Sequence, residues 1–280
     1  MIIDFHTHIF SPRINLHRTR YLESDPLFAQ LYANSKAKLA TAEDLVNSMD
    51  SCGIDMSVVL NISWSSVELC RETNDYIQES ISKYPRRLIG FGMLVLDSVE
   101  TAIDEIERCY RCGFKGIGEI RLTPEVLDDS AVESIVQRIV EKRLILLMHA
   151  SEPVGHIYAG KGKNTPENLY PFILKFPGLK LVCAHWGGGL PFYTLMPEVN
   201  KALGNVYYDS AASPFLYHPQ VYNQVAQLAG ADKVLFGSDY PLMSPQRVLA
   251  EIEQLNLPPN FKTQLLAENA TRLLGIKNKK

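Results

Sequence analysis

The sequence has little of what marks membrane, secreted or DNA-binding proteins. Its longest clean apolar run, 144–148, is far shorter than the roughly 20 residues that a membrane-spanning helix needs. The first residues contain neither the basic segment nor the apolar core of a signal peptide, so we expect a cytoplasmic protein. The 28 Lys and Arg residues against 31 Asp and Glu residues leave a formal charge of −3, which disfavours a dedicated binder of duplex DNA. We therefore expect neither a membrane nor a nucleic-acid partner.

Cysteine is scarce as well. The chain has five cysteines, an odd and scattered set that is typical of reduced thiols. Cys109 and Cys112 have C-x-x-C spacing but lack a second pair, so helix packing is favoured over a zinc or redox site. A chain of 280 residues can bury about three quarters of its unfolded surface, so it needs no disulfide or metal to fold.

Short β-branched runs alternate with segments of helical periodicity along the whole chain. This alternation predicts parallel strands joined by crossover helices. Eight such units favour a closed (β/α)8 TIM barrel of the α/β class over an open sheet, and we treat residues 1–280 as one barrel domain. The predicted strands are 1–6, 55–62, 88–95, 115–121, 144–149, 179–185, 205–209 and 233–238.

The segment after the first predicted strand is unusually long. Residues 10–40 show no strand pattern and are rich in Arg and aromatic residues. Connections of this length commonly cover a binding site, so we predict a long loop that forms a lid-like insertion. The basic tail, residues 277–280, is expected to be solvated.

Histidines and carboxylates fall where the predicted strands end. The residues are His6, His8, Glu119, His149, His185 and Asp239, and they include four of only seven histidines. His6 and His8 are two apart on one strand, so their side chains point to the same side. The carboxyl ends of barrel strands converge at one mouth, where imidazoles and carboxylates together suit a divalent metal ion. The set therefore predicts a metal site.

Three basic residues are candidate substrate contacts. Arg121 follows Glu119 on the same strand face, where a guanidinium could bind a substrate carboxylate or pair with an acid of the protein. The stretch 155–162 nearly matches a phosphate-binding loop, but Gly162 stands where the metal-binding Ser or Thr is needed. We interpret it as a loop that shapes the substrate pocket through His156 and Lys161.

Five segments carry a resemblance to a known family. They are IDFHTH at 3–8, MDSCGID at 49–55, AHWGGG at 184–189, VLFGSDYP at 234–241 and ENATRLL at 268–274. With them the sequence resembles the amidohydrolase superfamily, and within it the amidohydrolase-related (amidohydrolase 2) family of barrel hydrolases and decarboxylases. The resemblance implies that His6, His8, His149 and Asp239 bind one divalent ion, usually zinc.

The resemblance also implies catalytic roles and leaves the metal count open. His185 would face the substrate, and Asp239 would accept a proton from the water that the metal activates. TatD-like relatives use a fourth-strand Glu to bridge two ions, so Glu119 and His185 are candidate additional ligands. One ion is favoured over two.

These parts predict a metal-dependent hydrolase of an amide, ester or lactone bond in a small anionic molecule. Glu119 favours this reaction over the alternative, a metal-dependent non-oxidative decarboxylase of a small carboxylated substrate. A TatD-like nuclease would need two ions and a basic groove, which the charge of −3 disfavours. A non-catalytic barrel that only binds a small molecule is also disfavoured, because a decayed site should have lost at least one metal-binding residue. A homodimer is the default expectation for a barrel, with no particular residue behind it.

Overall fold

Eight parallel strands form a single sheet in the order of the sequence. The computed structural model describes residues 1–96, 98–123 and 130–276. The strands are β1 (Ile3–His8), β2 (Met56–Leu60), β3 (Leu88–Gly92), β4 (Gly116–Ile120), β5 (Ile145–Met148), β6 (Leu181–Cys183), β7 (Val206–Asp209) and β8 (Val234–Leu235). Each pairs in parallel with the next. The predicted (β/α)8 barrel is confirmed.

The barrel closes between its first and last strands. The amide of Phe5 donates to the carbonyl oxygen of Phe236 at 2.7 Å, and the amide of His8 donates to that of Tyr240 at 2.7 Å. The amide of Asp239 donates in the opposite direction, to the carbonyl oxygen of His6, at 2.9 Å. These bonds leave no open edge between β1 and β8, and they place His6 next to Asp239.

The core has two layers. Phe5 and Phe91 meet edge to face with ring centroids 5.8 Å apart, although β1 and β3 are not neighbours, so these rings fill the barrel interior. A larger cluster of buried side chains lies between the strands and the surrounding helices. Strands buried on both faces have nearly continuous apolar sequences, as in β5, and this is why the strands were recognisable from sequence.

Helices connect the strands and carry the expected end signals. After three short helices that directly follow β1, they span Ala42–Cys52, Val67–Lys83, Val99–Arg111, Ser130–Glu141, Pro166–Lys175, Pro197–Ala202, Ser213–Leu216, Val221–Ala229, Pro245–Gln254, Pro259–Thr263 and Asn269–Leu274. Thr41 and Asp44 form a capping box, in which each side chain accepts a backbone hydrogen bond from the other residue.

The segment after β1 is not the long loop that we predicted. It folds into three short helices, Pro12–Leu16, Arg18–Ser24 and Pro26–Tyr32. Ser11 and Asp25 cap two of them ahead of Pro12 and Pro26, and Asp25 also accepts hydrogen bonds from the amide and hydroxyl of Ser65. Helices of five to seven residues are too short to show helical periodicity. In the sequence, only the capping residues of the first and third helices, Ser11 and Asp25, indicate that helices begin there.

Two further expectations concern membrane-spanning helices and the cysteines. Across the described residues, no helix combines the length and apolar character needed to cross a membrane. All five cysteines are free thiols, as expected. The tail at 277–280 lies outside the described residues.

Candidate metal centre

The six predicted site residues lie together at the carboxyl ends of the strands. His6 and His8 are on β1 and Glu119 is on β4, while His149, His185 and Asp239 follow β5, β6 and β8. Each is at most 8% exposed. The barrel thus brings charged and polar groups from five regions of the chain into one buried cluster at its mouth.

Three atoms of the cluster are spaced like the ligands of one ion. His6 Nε2 lies 3.1 Å from His8 Nε2, and Asp239 Oδ1 lies 3.8 Å from His6 Nε2 and 3.4 Å from His8 Nε2. Ligands at 2.0–2.1 Å around a tetrahedral zinc ion are roughly 3.3 Å apart. These nitrogen and oxygen atoms therefore fit a divalent cation.

Glu119 lies between this triad and two other imidazoles. Its Oε2 is 3.8 Å from His8 Nε2, and its Oε1 is 2.7 Å from His149 Nδ1 and 3.3 Å from His185 Nε2. A second group of potential ligand atoms comes from His6, Glu119 and His185. The position of Glu119 is thus compatible with a ligand and with an acid that orients neighbouring imidazoles.

His149 is held differently from the other histidines. Its Nδ1 pairs with Glu119, while its Nε2 lies 3.0 Å from the hydroxyl of Ser151, which also accepts a hydrogen bond from the amide of Gly162. Burial, with the nearby charge of Arg121, lowers the pKa of His149 to about 3, so its ring is neutral. Because both nitrogens have partners, metal ligation by His149 requires one of these contacts to break.

The carboxylates of the cluster stay ionised. Burial alone would raise the pKa of Asp239, but the hydrogen bond from His8 and the charges of His6 and His185 outweigh it and lower the pKa. Burial would also raise the pKa of Glu119, yet His149 and His185 hold it well below its usual value. The cluster therefore attracts positive charge, either as protonated imidazole or as a divalent cation.

One member of the site was missed in the sequence. Asp209 ends β7, is fully buried, and lies with Oδ2 2.9 Å from His6 Nδ1. Burial would lower the pKa of His6, but the Asp209 carboxylate outweighs it and raises the pKa to about 10. The signal was available, because Asp209 ends a predicted strand just as Asp239 does.

The glycines after His185 serve packing inside the protein. Gly188 has φ +59°, and a Cβ atom there would overlap the carbonyl oxygen of Ser151. The absence of a side chain at Gly188 therefore lets its backbone pack closely against the neighbouring loop, which carries His149 and Ser151.

Gly188→Ala is expected to lower the free energy of unfolding by about 2–5 kcal/mol, since strain from the left-handed backbone adds to overpacking. Gly53→Ala is the matched control, because Gly53 has φ +69° with no atom near its Cβ position, and it should cost only about 1 kcal/mol. Urea titration of both variants measures the difference. Equal losses would show that contact with Ser151 is unimportant.

A cavity of about 460 Å³ opens above the cluster. His8, Glu119, His149, His185 and Asp239 line its inner end. Arg121 and His156 lie on its wall, with apolar side chains that include Leu31, Tyr32, Ile62, Phe215, Leu216 and Leu242. Leu31 and Tyr32 come from the insertion, which therefore contributes directly to the wall.

The three predicted substrate contacts are placed differently. Arg121 reaches the cavity and donates a hydrogen bond to the carbonyl oxygen of Gly160, and His156 is exposed at the rim. The ammonium group of Lys161 instead donates to the carbonyl oxygens of Val154 (2.7 Å) and His156 (3.1 Å). Lys161 thus braces the loop and does not contribute to the cavity wall.

The fold and the buried cluster define a barrel enzyme with a divalent-metal site. The chain belongs to the Amidohydrolase family, the amidohydrolase 2 group, whose sequence pattern matches residues 3–276. The resemblance found in the sequence is confirmed.

Several known proteins of similar sequence or structure are decarboxylases. The 2-amino-3-carboxymuconate-6-semialdehyde decarboxylase of Dictyostelium discoideum is 22% identical over 98% of this chain and 91% of its own length. The gamma-resorcylate decarboxylase of a Polaromonas species is 22% identical over 82% of this chain and 86% of its own length. The 5-carboxyvanillate decarboxylase of Novosphingobium aromaticivorans, solved with manganese and 4-hydroxy-3-methoxy-5-nitrobenzoic acid, has a TM-score of 0.81 at 20% identity, covering 99% of this chain and 96% of that chain.

These relatives overturn the expectation of hydrolysis. The preference for cleavage of an amide, ester or lactone rested on Glu119, and the similar proteins of known activity break a carbon–carbon bond instead. The structure gives the physical reason for the error. Glu119 is hydrogen-bonded to His149 and His185, an arrangement that is not specific to water activation.

Proposed function

We propose that the protein is a metal-dependent, non-oxidative decarboxylase of a small carboxylated molecule. The main support is the ionised, buried cluster at the inner end of a cavity whose wall combines apolar side chains with Arg121. The activities of the relatives support the same reaction.

We further propose that His6, His8 and Asp239 hold one divalent ion, with Glu119 and His149 as the adjoining candidate ligands. When bound, such an ion would orient the anionic oxygens of the substrate and stabilise negative charge on them. Imidazole ligands suit zinc, whereas the Novosphingobium enzyme contains manganese, so both metals belong in the first assays.

The reaction exchanges a carboxylate for a proton. The bond between the substrate carbon and its carboxylate breaks, CO2 leaves, and the electron pair that remains on the carbon takes up a proton. His185 is placed to deliver it, because its Nδ1 lies 3.1 Å from the carbonyl oxygen of Ala211, which leaves Nε2 facing Glu119 and the cavity. Burial would lower the pKa of His185, but the hydrogen bond to Glu119 and the charge of Asp239 outweigh it and raise the pKa. A protonated His185 is therefore favoured.

The cavity wall supports a substrate with a flat or apolar body. Arg121 can bind a carboxylate or another anionic group of the substrate. The apolar side chains of the cavity wall exclude water, which strengthens the interactions of the charged groups in the cluster. We propose small aromatic or unsaturated carboxylates as the substrate class.

The deciding experiment follows both products in heavy water. A panel of aromatic and unsaturated carboxylates is incubated with the metal-loaded protein, CO2 is measured, and the organic product is analysed for deuterium. We expect CO2 release matched by one deuterium on the carbon that lost it. Removal of metal with a chelator should abolish the reaction, and zinc or manganese should restore it. Cleavage of esters, amides or lactones without CO2 release would contradict the proposal.

A further inference from the structure

Asp209 makes three polar contacts from a fully buried position at the end of β7. Its Oδ2 pairs with Nδ1 of His6 at 2.9 Å, and its Oδ1 accepts hydrogen bonds from the amides of His185 (3.0 Å) and Ala211 (3.1 Å). The carbonyl oxygen of Ala211 in turn accepts a hydrogen bond from His185 Nδ1. One carboxylate thus touches two functional segments.

The contact with His6 fixes which nitrogen of the ring carries hydrogen. An ionised carboxylate only accepts hydrogen bonds, so His6 Nδ1 must be the donor. The lone pair of the neutral ring is then on Nε2, the atom that lies beside His8 Nε2 and Asp239 Oδ1. A carboxylate behind a histidine in this way raises the basicity of a metal ligand and fixes its orientation.

Asp209 also helps to orient the ring of His185. Asp209 holds the backbone of His185 and Ala211, and the carbonyl oxygen of Ala211 accepts from His185 Nδ1. The ring of His185 is therefore also turned with Nε2 toward the cluster, 3.3 Å from Glu119 Oε1.

We propose that Asp209 is a positioning residue that holds the rings of His6 and His185 with Nε2 toward the metal site. This inference rests on the proposed function only in taking His6 as a metal ligand. It can therefore be tested through metal affinity, without a substrate.

The test is Asp209→Asn, which keeps the size of the side chain. The amide oxygen of Asn can still accept from the two backbone amides, but its NH2 group then faces His6 Nδ1. That contact favours the tautomer with hydrogen on Nε2, which cannot bind a metal ion. We expect zinc and manganese affinity, measured by competition with a chromogenic chelator, to fall by about 10–100-fold. The melting temperature of the metal-free protein should change little.

Asp4→Asn is the matched control. Asp4 is another fully buried carboxyl group of the barrel, and its Oδ1 accepts hydrogen bonds from the amides of His6 and Ser238. Its replacement should leave metal affinity unchanged. An equal loss in both variants would assign the effect to replacement of any buried carboxyl group of the barrel and overturn the proposal, as would wild-type affinity in Asp209→Asn.

A measurement on the wild type keeps the test decisive if Asp209→Asn folds poorly. In the zinc-loaded wild-type protein, nitrogen NMR of the His6 ring should show hydrogen on Nδ1 and zinc on Nε2, and zinc on Nδ1 would refute the proposal. Where Asp209→Asn folds, it should cause little further loss of metal affinity in a His6→Ala background. If metal affinity behaves as expected while the carboxylate panel gives no CO2, the proposed function fails and the role of Asp209 stands.

Discussion

Exchange of Asp239 for Asn is expected to lower kcat by ~10²–10⁴-fold while the barrel remains folded. Asn fills the same space, and the backbone bond from residue 239 to the carbonyl oxygen of His6 does not involve the side chain. The change removes a charged oxygen 3.4 Å from His8 Nε2, and it removes the negative charge that helps to raise the pKa of His185.

The pH profile of the residual activity separates these effects. A proton donor with a raised pKa acts below that pKa and is lost as pH rises through it. Without Asp239 the pKa of His185 falls, so the alkaline limb of the profile should move to lower pH. Circular dichroism and metal analysis serve as controls for folding and loading. A kcat close to that of the wild type would exclude Asp239 from the reaction.

His6→Ala is expected to cause the second large effect, loss of both metal and activity. The change removes a nitrogen of the central triad. It also leaves Asp209 without its imidazole partner in a fully buried position, and breaking a buried pair of this kind costs about 3–5 kcal/mol. Elemental analysis should find substoichiometric metal, and urea titration should find a less stable protein.

His17→Ala provides the control for the His6 variant. His17 is exposed at the junction of the first two short helices, where its side chain makes no capping bond. Its replacement should leave metal content, activity and stability as in the wild type. Full metal content in His6→Ala would show that the other residues of the cluster hold the ion without His6.

The barrel itself was predictable because parallel strands buried on both faces have distinctive sequences. The run at 144–149 is apolar up to its last residue, His149. The run at 233–238 contains the apolar stretch 234–236 and is followed directly by Asp239. Strand periodicity also placed His6 and His8 on the same side, and their Nε2 atoms lie 3.1 Å apart. These inferences use only local sequence and the rule that strand ends converge.

What the sequence did not predict depends on side-chain rotation and on contacts between distant segments. The pairing of His149 with Glu119 and Ser151 joins the segment after β5 to strand β4, and these two segments have no sequence pattern in common. Lys161 was predicted as a substrate contact, and the sequence did not indicate that its ammonium group donates to the carbonyl oxygens of Val154 and His156. The choice between two reactions was beyond the sequence because the same residues suit both.

The closure of the barrel has a consequence for how the chain acquires its metal. The bonds that join β1 to the end of β8 are made by His6, His8, Asp239 and Tyr240, so the seam of the barrel and the candidate metal triad occupy the same place. During synthesis the first two candidate ligands, His6 and His8, emerge long before the third, Asp239. A partly made chain therefore offers an incomplete and weak site, and tight metal uptake reports that both ends of the barrel have met. In this protein, loading with metal would act as a check on completed folding.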